Sequence, residues 1–232
     1  MSSLAFDILQ RPEFALLRVQ LEAGQRVYSE PSAMAAMDPA IELKAGLKGG
    51  LMGSVGRMFA GESLVMNTYR AAGGPGEVLL APAAIGDILH YRLARTGLLL
   101  QRGAYLANSD GVEVSASWAG ARGFFSGQGL VLLRAQGDGD LFFNAYGAVL
   151  QVDVTHDYIV DTGYVVAFED TLQYNVSALP GLGIGQQAKS FFFGGEGLVV
   201  RFSGQGRVWI QTRTIGALLN WVYPFRRQKR ND

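Results

Sequence analysis

Phe59-Ala60-Gly61-Glu62-Ser63-Leu64, Phe125-Ser126-Gly127-Gln128-Gly129-Leu130 and Phe193-Gly194-Gly195-Glu196-Gly197-Leu198 share the pattern Phe-x-Gly-[Glu/Gln]-x-Leu, with their phenylalanines 66 and 68 residues apart. Self-similarity at a fixed period is the sequence signature of a fold assembled from one repeated unit. Each copy runs through an apolar segment to a glycine turn: Gly74-Pro75-Gly76, Gly137-Asp138-Gly139 and Gly204-Gln205-Gly206. Their variable spacing from the preceding Leu suits hairpin loops. An apolar strand follows each turn, over 77–81, 140–145 and 207–212, and then a small residue at a bend, Gly86, Gly147 and Gly216. Upstream of each copy, 31–35, 103–107 and 163–167 pair a turn residue with a short run of small and apolar side chains.

This order predicts three internal repeats, approximately 1–82, 83–149 and 150–220, followed by a basic tail, 221–232, with no linker to part them. Within the repeats, Val112, Val114, Ala116 and Trp118 alternate with Glu113, Ser115 and Ser117, the period of a half-buried strand. Val152, Val154, His156 and Tyr158 alternate likewise with Asp153, Thr155 and Asp157, while 98–100 and 197–202 read as strands buried on both faces. The glycine- and serine-rich stretch 45–59 is a poor helix former, since each glycine costs roughly 1 kcal/mol relative to alanine, and reads as an ordered loop. The stretch 216–225 is a strand or a short helix that Pro224 ends. A unit of this size buries too little surface to be stable alone. The expected fold is therefore all-β: three similar β-sandwich-like modules packed around a pseudo-threefold axis, with little helix.

Composition supports many short strands and tight turns. Of 232 residues, 49% are hydrophobic and 17% charged, against roughly 25% charged in an average soluble protein, and 31 are glycine. So few charges leave surface for something else to cover, and a homo-oligomer is the expected arrangement. Net charge is zero, but Arg226, Arg227, Lys229 and Arg230 against Asp232 leave the tail at +3, so the body's 16 basic and 19 acidic residues sit at −3. A nucleic-acid protein usually shows the reverse, which makes nucleic acid an unexpected partner. The absence of cysteine excludes disulfides and thiolate metal sites. The first residues lack a signal-peptide pattern, and no window is apolar for the roughly 20 residues that cross a bilayer. A cytoplasmic protein is expected, peripheral to a membrane at most.

The approach Gly49-Gly50-Leu51 to Phe59-Ala60-Gly61-Glu62, the stretch Gly76-Glu77-Val78-Leu79-Leu80-Ala81 with Gly86, and the element from Phe125 to Leu130 resemble bacterial and archaeal relatives of the altered-inheritance-of-mitochondria protein. Nearly the whole chain is covered. The resemblance implies a fold like that of the trp RNA-binding attenuation protein, with three β modules in a ring-like unit and no established enzymatic activity. RNA binding does not follow from the fold, because function belongs to a site rather than a scaffold.

Candidate chemistry is sparse. Gly183 to Ser190 imitates a phosphate-binding loop, but Ala188 replaces the second glycine and the loop enters a strand rather than a helix. Gly50 to Gly56 lacks the preceding strand and downstream acid of a dinucleotide site. His156 projects opposite Asp153 and Asp157 if all three share a strand, an awkward geometry for a shared ion. No Gly-x-Ser-x-Gly elbow is present. Arg57, Arg122 and Lys189 each precede their module's Phe-x-Gly element, so they form a candidate set of anion-binding cations. Trp221, Tyr223 and Phe225 beside Arg226, Arg227, Lys229 and Arg230 form a candidate membrane or partner contact. No catalytic residue, metal or cofactor is expected. The leading reading is a non-enzymatic scaffold or interaction protein forming a ring-like β assembly. The alternative is a small-ligand or nucleic-acid binding module using grooves between repeats.

Overall fold

A computed structural model describes residues 3–47, 65–117, 132–178 and 198–226, and the regular elements among them are nearly all strands. The first stretch holds β1 (Ala5–Leu9), β2 (Leu16–Leu21), β3 (Arg26–Ser29), β4 (Met34–Met37), β5 (Ile41–Leu47), β6 (Val65–Ala71) and β7 (Gly76–Leu80). Then come β8 (Ile88–Leu93), β9 (Leu98–Gln101), β10 (Tyr105–Ser109), β11 (Val112–Ser117), β12 (Leu132–Gly137) and β13 (Gly139–Asn144). The last set is β14 (Val149–Val154), β15 (Tyr158–Asp161), β16 (Val165–Glu169), β17 (Gln173–Ala178), β18 (Leu198–Ser203) and β19 (Gly206–Gln211). Helix α1 (Ile215–Val222) and a 3-10 turn (Tyr223–Phe225) follow.

The strands form four antiparallel sheets, ordered β1-β2-β7-β4, β5-β6-β3-β10-β13-β8, β11-β12-β9-β16-β19-β14 and β15-β18-β17. Three apolar cores lie between them. Leu17, Val19, Val78 and Leu80 of the first sheet meet Val27, Tyr69, Ile88 and Phe142 of the second. Met66, Tyr105, Leu141 and Phe143 on the second sheet's other face meet Leu98, Leu100, Val112 and Trp209 of the third. Leu99, Phe168 and Val208 of the third then meet Val160, Val200 and Phe202 of the fourth. The two six-stranded sheets are thus covered on both faces, which explains why every position of β10, β13 and β16 is buried. Among the described residues the first sheet has one covered face, and β2 alternates accordingly.

The sequence reading of each glycine turn as a hairpin is corrected. Strands β6 and β7, β12 and β13, and β18 and β19 do not pair; each turn carries the chain from one sheet to a sheet stacked against it. Such a corner needs backbone that L residues rarely adopt, and Gly74, Gly137 and Gly204 have φ of +136°, +115° and +97°. A second glycine follows because space is short: a methyl on Gly139 would run into Ser109 and Val112, and one on Gly206 into Thr171 and Leu172.

Other expectations divide. Val112 and Val114 are buried and Glu113 and Ser115 exposed, as alternation requires, and Leu98, Leu99 and Leu100 are all buried. The final apolar stretch is helical and ends at the turn containing Pro224. However, the strand read through His156 is broken, because β14 and β15 belong to different sheets and the chain bends at 155–156 to pass between them. His156 is exposed there, its Nδ1 2.9 Å from Thr155 Oγ1. Arg201 in β18 is exposed because, among the described residues, the fourth sheet ends the stack, so 198–202 is not buried on both faces. Gly216 lies in the first turn of α1 rather than at a bend. Of 45–59, only Ala45, Gly46 and Leu47 are described, and they continue β5.

Candidate interaction surface

Helix α1 begins where β19 leaves the third sheet. Thr214, in extended conformation, caps it by accepting a 3.2 Å hydrogen bond on Oγ1 from the Ala217 amide. Ile215, Leu218, Leu219 and Val222 repeat at the spacing that puts apolar side chains on one helix face. In a globular protein such a face lies on a core, but no residue of α1 or the following turn is buried. Leu219 is 61% exposed, Trp221 68% and Phe225 76%. Trp221 and Phe225 hold their ring centroids 5.8 Å apart, and the Arg226 guanidinium lies 3.7 Å above the Tyr223 ring.

Trp221, Tyr223, Phe225 and Arg226 lie together on one exposed segment. Ile215, Leu218, Leu219 and Val222 extend the same apolar surface and were missed, although their helical spacing was the available signal. Arg227, Lys229 and Arg230 lie outside the described residues. So do the candidate cations Arg57, Arg122 and Lys189, and of the repeat pattern Phe59, Gly61, Leu64, Phe125, Gly127, Leu130, Phe193 and Gly195. Leu198 opens β18, half-buried.

The polar clusters of the body act as ties between strands. Arg11 holds Asp87 with two 2.7 Å hydrogen bonds. Glu169 accepts from Tyr91 Oη at 3.0 Å and Arg207 Nε at 2.8 Å, joining β8 of the second sheet to β16 and β19 of the third. The Arg207 guanidinium also lies over the Tyr91 and Trp209 rings, 5.3 Å and 5.4 Å from their centroids. Asp140 is buried; desolvation alone would raise its carboxyl, but the Leu4 amide, His90 and Arg92 hold it below the usual carboxylate range. His90 Nε2 stands 2.9 Å from Asp140 Oδ1 and the His90 ring packs on Phe6, which fixes β1 to the second sheet. Among the described residues, no three His, Asp or Glu side chains converge as a cation cage. Nor, among them, is any helix long and apolar enough to cross a membrane.

A family model described as mitochondrial biogenesis AIM24 matches residues 6–213. The chain belongs to this family. A relative, an uncharacterized protein of Streptococcus pyogenes serotype M6, is 28% identical over 221 residues, covering 90% of this chain and 86% of its own length. The crystal structure of a Streptococcus pyogenes protein determined in a structural genomics programme superimposes with a TM-score of 0.79 at 26% identity, covering 96% of this chain and all of the other. The AIM24 match ends at residue 213 and α1 begins at Ile215.

Proposed function

We propose that the chain is a non-enzymatic scaffold of three like modules, arranged about a pseudo-threefold axis on the trp RNA-binding attenuation protein plan and held to an anionic membrane surface by its C-terminal segment. Three features recur in support of the module reading. Pairing slips once at the same place in β4, β10 and β16, between Met34 and Ala36, Tyr105 and Ala107, and Val165 and Ala167. Immediately after or within those strands, Asp38, Ser109 and Glu169 accept a side-chain hydrogen bond from the amide of Glu77, Asp140 and Arg207 at 2.8, 2.8 and 2.9 Å. A glycine of positive φ precedes each of those amides by three residues.

The observation that carries the membrane role is that no residue of α1 is buried despite its apolar face and aromatic end, which lead directly into four basic residues. An isolated eight-residue helix is marginal in water, whereas an interface that takes up its apolar face stabilises it. Each Lys or Arg near anionic headgroups adds about 1 kcal/mol, roughly fivefold in affinity.

Co-sedimentation of the purified chain with vesicles tests this reading. Binding is expected with phosphatidylcholine mixed with phosphatidylglycerol, weaker binding with phosphatidylcholine alone, and loss in high salt. Trp221→Ala with Phe225→Ala should abolish it, and Arg227→Gln with Lys229→Gln should reduce it by more than tenfold. Equal binding of the parent chain and these variants, or no binding by any, would remove the membrane role.

A further inference from the structure

Four links lie at the same end of the strands: residues 10–15 between β1 and β2, 81–87 between β7 and β8, 145–148 between β13 and β14, and 212–214 between β19 and α1. Antiparallel pairing puts them there, since Leu17 faces Leu80, Ile88 faces Asn144 and Val149 faces Gln211. Backbone hydrogen bonds join each link to the next. The Thr212 amide donates to the Ala148 carbonyl at 3.1 Å, the Asp87 amide to Gly147 at 3.1 Å, and the Ala15 amide to Gly86 at 3.0 Å. Gly86 and Gly147 approach so closely that a methyl on Gly86 would strike the Gly147 backbone. Arg11 clamps the first link to the second through Asp87. A continuous rim therefore runs from the root of α1, across the third, second and first sheets, to the turn at Phe14.

That rim holds apolar side chains in water. Phe14 is 72% exposed and Ile85 60%, the two most exposed large hydrophobic residues ahead of α1 among the described residues. Single apolar residues scattered over a surface are ordinary. These two are not scattered, because the bond from Ala15 to Gly86 joins their immediate neighbours in the chain.

Charge separates the two ends of the body. Links at the opposite end carry Glu22, Asp38, Asp110, Asp138, Asp157 and Asp170, and among the described residues Arg95 is the one base on a link there. Strand arginines answer some of these acids, as Arg26 does Asp110 and Arg92 does Asp138. At the rim end Arg11 neutralises Asp87, Arg102 and Arg213 offset Glu13 and Glu30, and the chain leaves through α1 into its basic tail. An anionic surface therefore repels the far end more than the rim.

We propose that the rim at Phe14 and Ile85 is a second contact with the anionic bilayer, so that the body docks end-on beside α1 with its acidic end turned away. This rests on the membrane reading above and adds the body's own contact and its orientation. Once α1 is bound, the rim contact forms within one molecule, so modest apolar burial at two residues multiplies the affinity of the whole.

A chain without cysteine accepts single labels cleanly. Phe14→Cys, Ile85→Cys and, at the far end, the exposed Gln205→Cys each carry an environment-sensitive fluorophore in the full chain. With vesicles of phosphatidylcholine and phosphatidylglycerol containing a doxyl-labelled quencher lipid, labels at 14 and 85 should shift to the blue and be quenched, and the label at 205 should do neither. Without labels, Phe14→Ser combined with Ile85→Ser should weaken co-sedimentation by roughly tenfold or more while leaving the circular dichroism spectrum unchanged. If the parent binds but the labels at 14 and 85 stay in water, or the double serine variant binds as the parent does, the rim contact is overturned and the role of α1 stands. Equal quenching at 205 overturns it as well. So does shielding of the 14 and 85 labels before vesicles are added, which would place a protein on the rim instead. No vesicle binding by the parent removes the rim contact and the membrane role together.

Discussion

Glu30 stands where β3 leaves for β4, its amide donating to the Leu106 carbonyl of the neighbouring strand β10. Burial pushes its carboxyl up to about 7 from an ordinary 4.5, and nearby Tyr105, fully buried, has its phenol raised by burial and by Glu30. The folded chain keeps a proton on Glu30 that the unfolded chain loses near pH 4.5. Between about pH 4.5 and 7 the native state thus binds more protons, so this group's contribution to stability falls as pH rises and is flat above. Glu30→Gln, which cannot ionise, should raise the melting temperature at pH 8 and leave it nearly unchanged at pH 4. Melting followed by circular dichroism at the two values checks this, and an equal shift at both would exclude the carboxylate charge as the cause.

At the scale of elements, α1 depends on its cap. An exposed helix of eight residues has little tertiary support, and removing an N-cap hydroxyl costs about 1 kcal/mol. Thr214→Ala should therefore reduce helicity in buffer and weaken vesicle binding several-fold, whereas Thr214→Ser should restore both; titration of anionic vesicles followed by circular dichroism measures the two together. Strand existence was legible in sequence wherever one face meets solvent, as in Val112 to Ser117, because alternation records two unlike environments. The corners were legible too, since Gly137 and Gly204 mark positive φ, a local backbone demand. Where the strands on either side of a corner go was hidden: Gly137-Asp138-Gly139 reads the same whether its strands pair or enter stacked sheets. His156 was misplaced for the same reason, as nothing local separates β14 from β15.

Across the whole molecule, each six-stranded sheet serves two cores, so the modules inferred from sequence do not own their interiors. Tyr28 from the first stretch of strands, Phe143 from the second and Trp209 from the third share one cluster. Such sharing depends on which edge meets which, β3 on β10 and β9 on β16, information carried by shape between distant segments rather than by any local pattern. It also governs unfolding. If one set of strands detached, the neighbouring six-stranded sheet would lose half its strands and bare a covered face, so partial unfolding exposes far more apolar surface than a simple string of domains would. Calorimetry on the purified chain should give a single transition with calorimetric and van't Hoff enthalpies equal. Phe143→Ala in the middle core should cost about 3–5 kcal/mol and shift that one transition whole. Two resolved transitions, with only one moved by the substitution, would mean that the cores melt independently and that the sheets joining them do not transmit their stability.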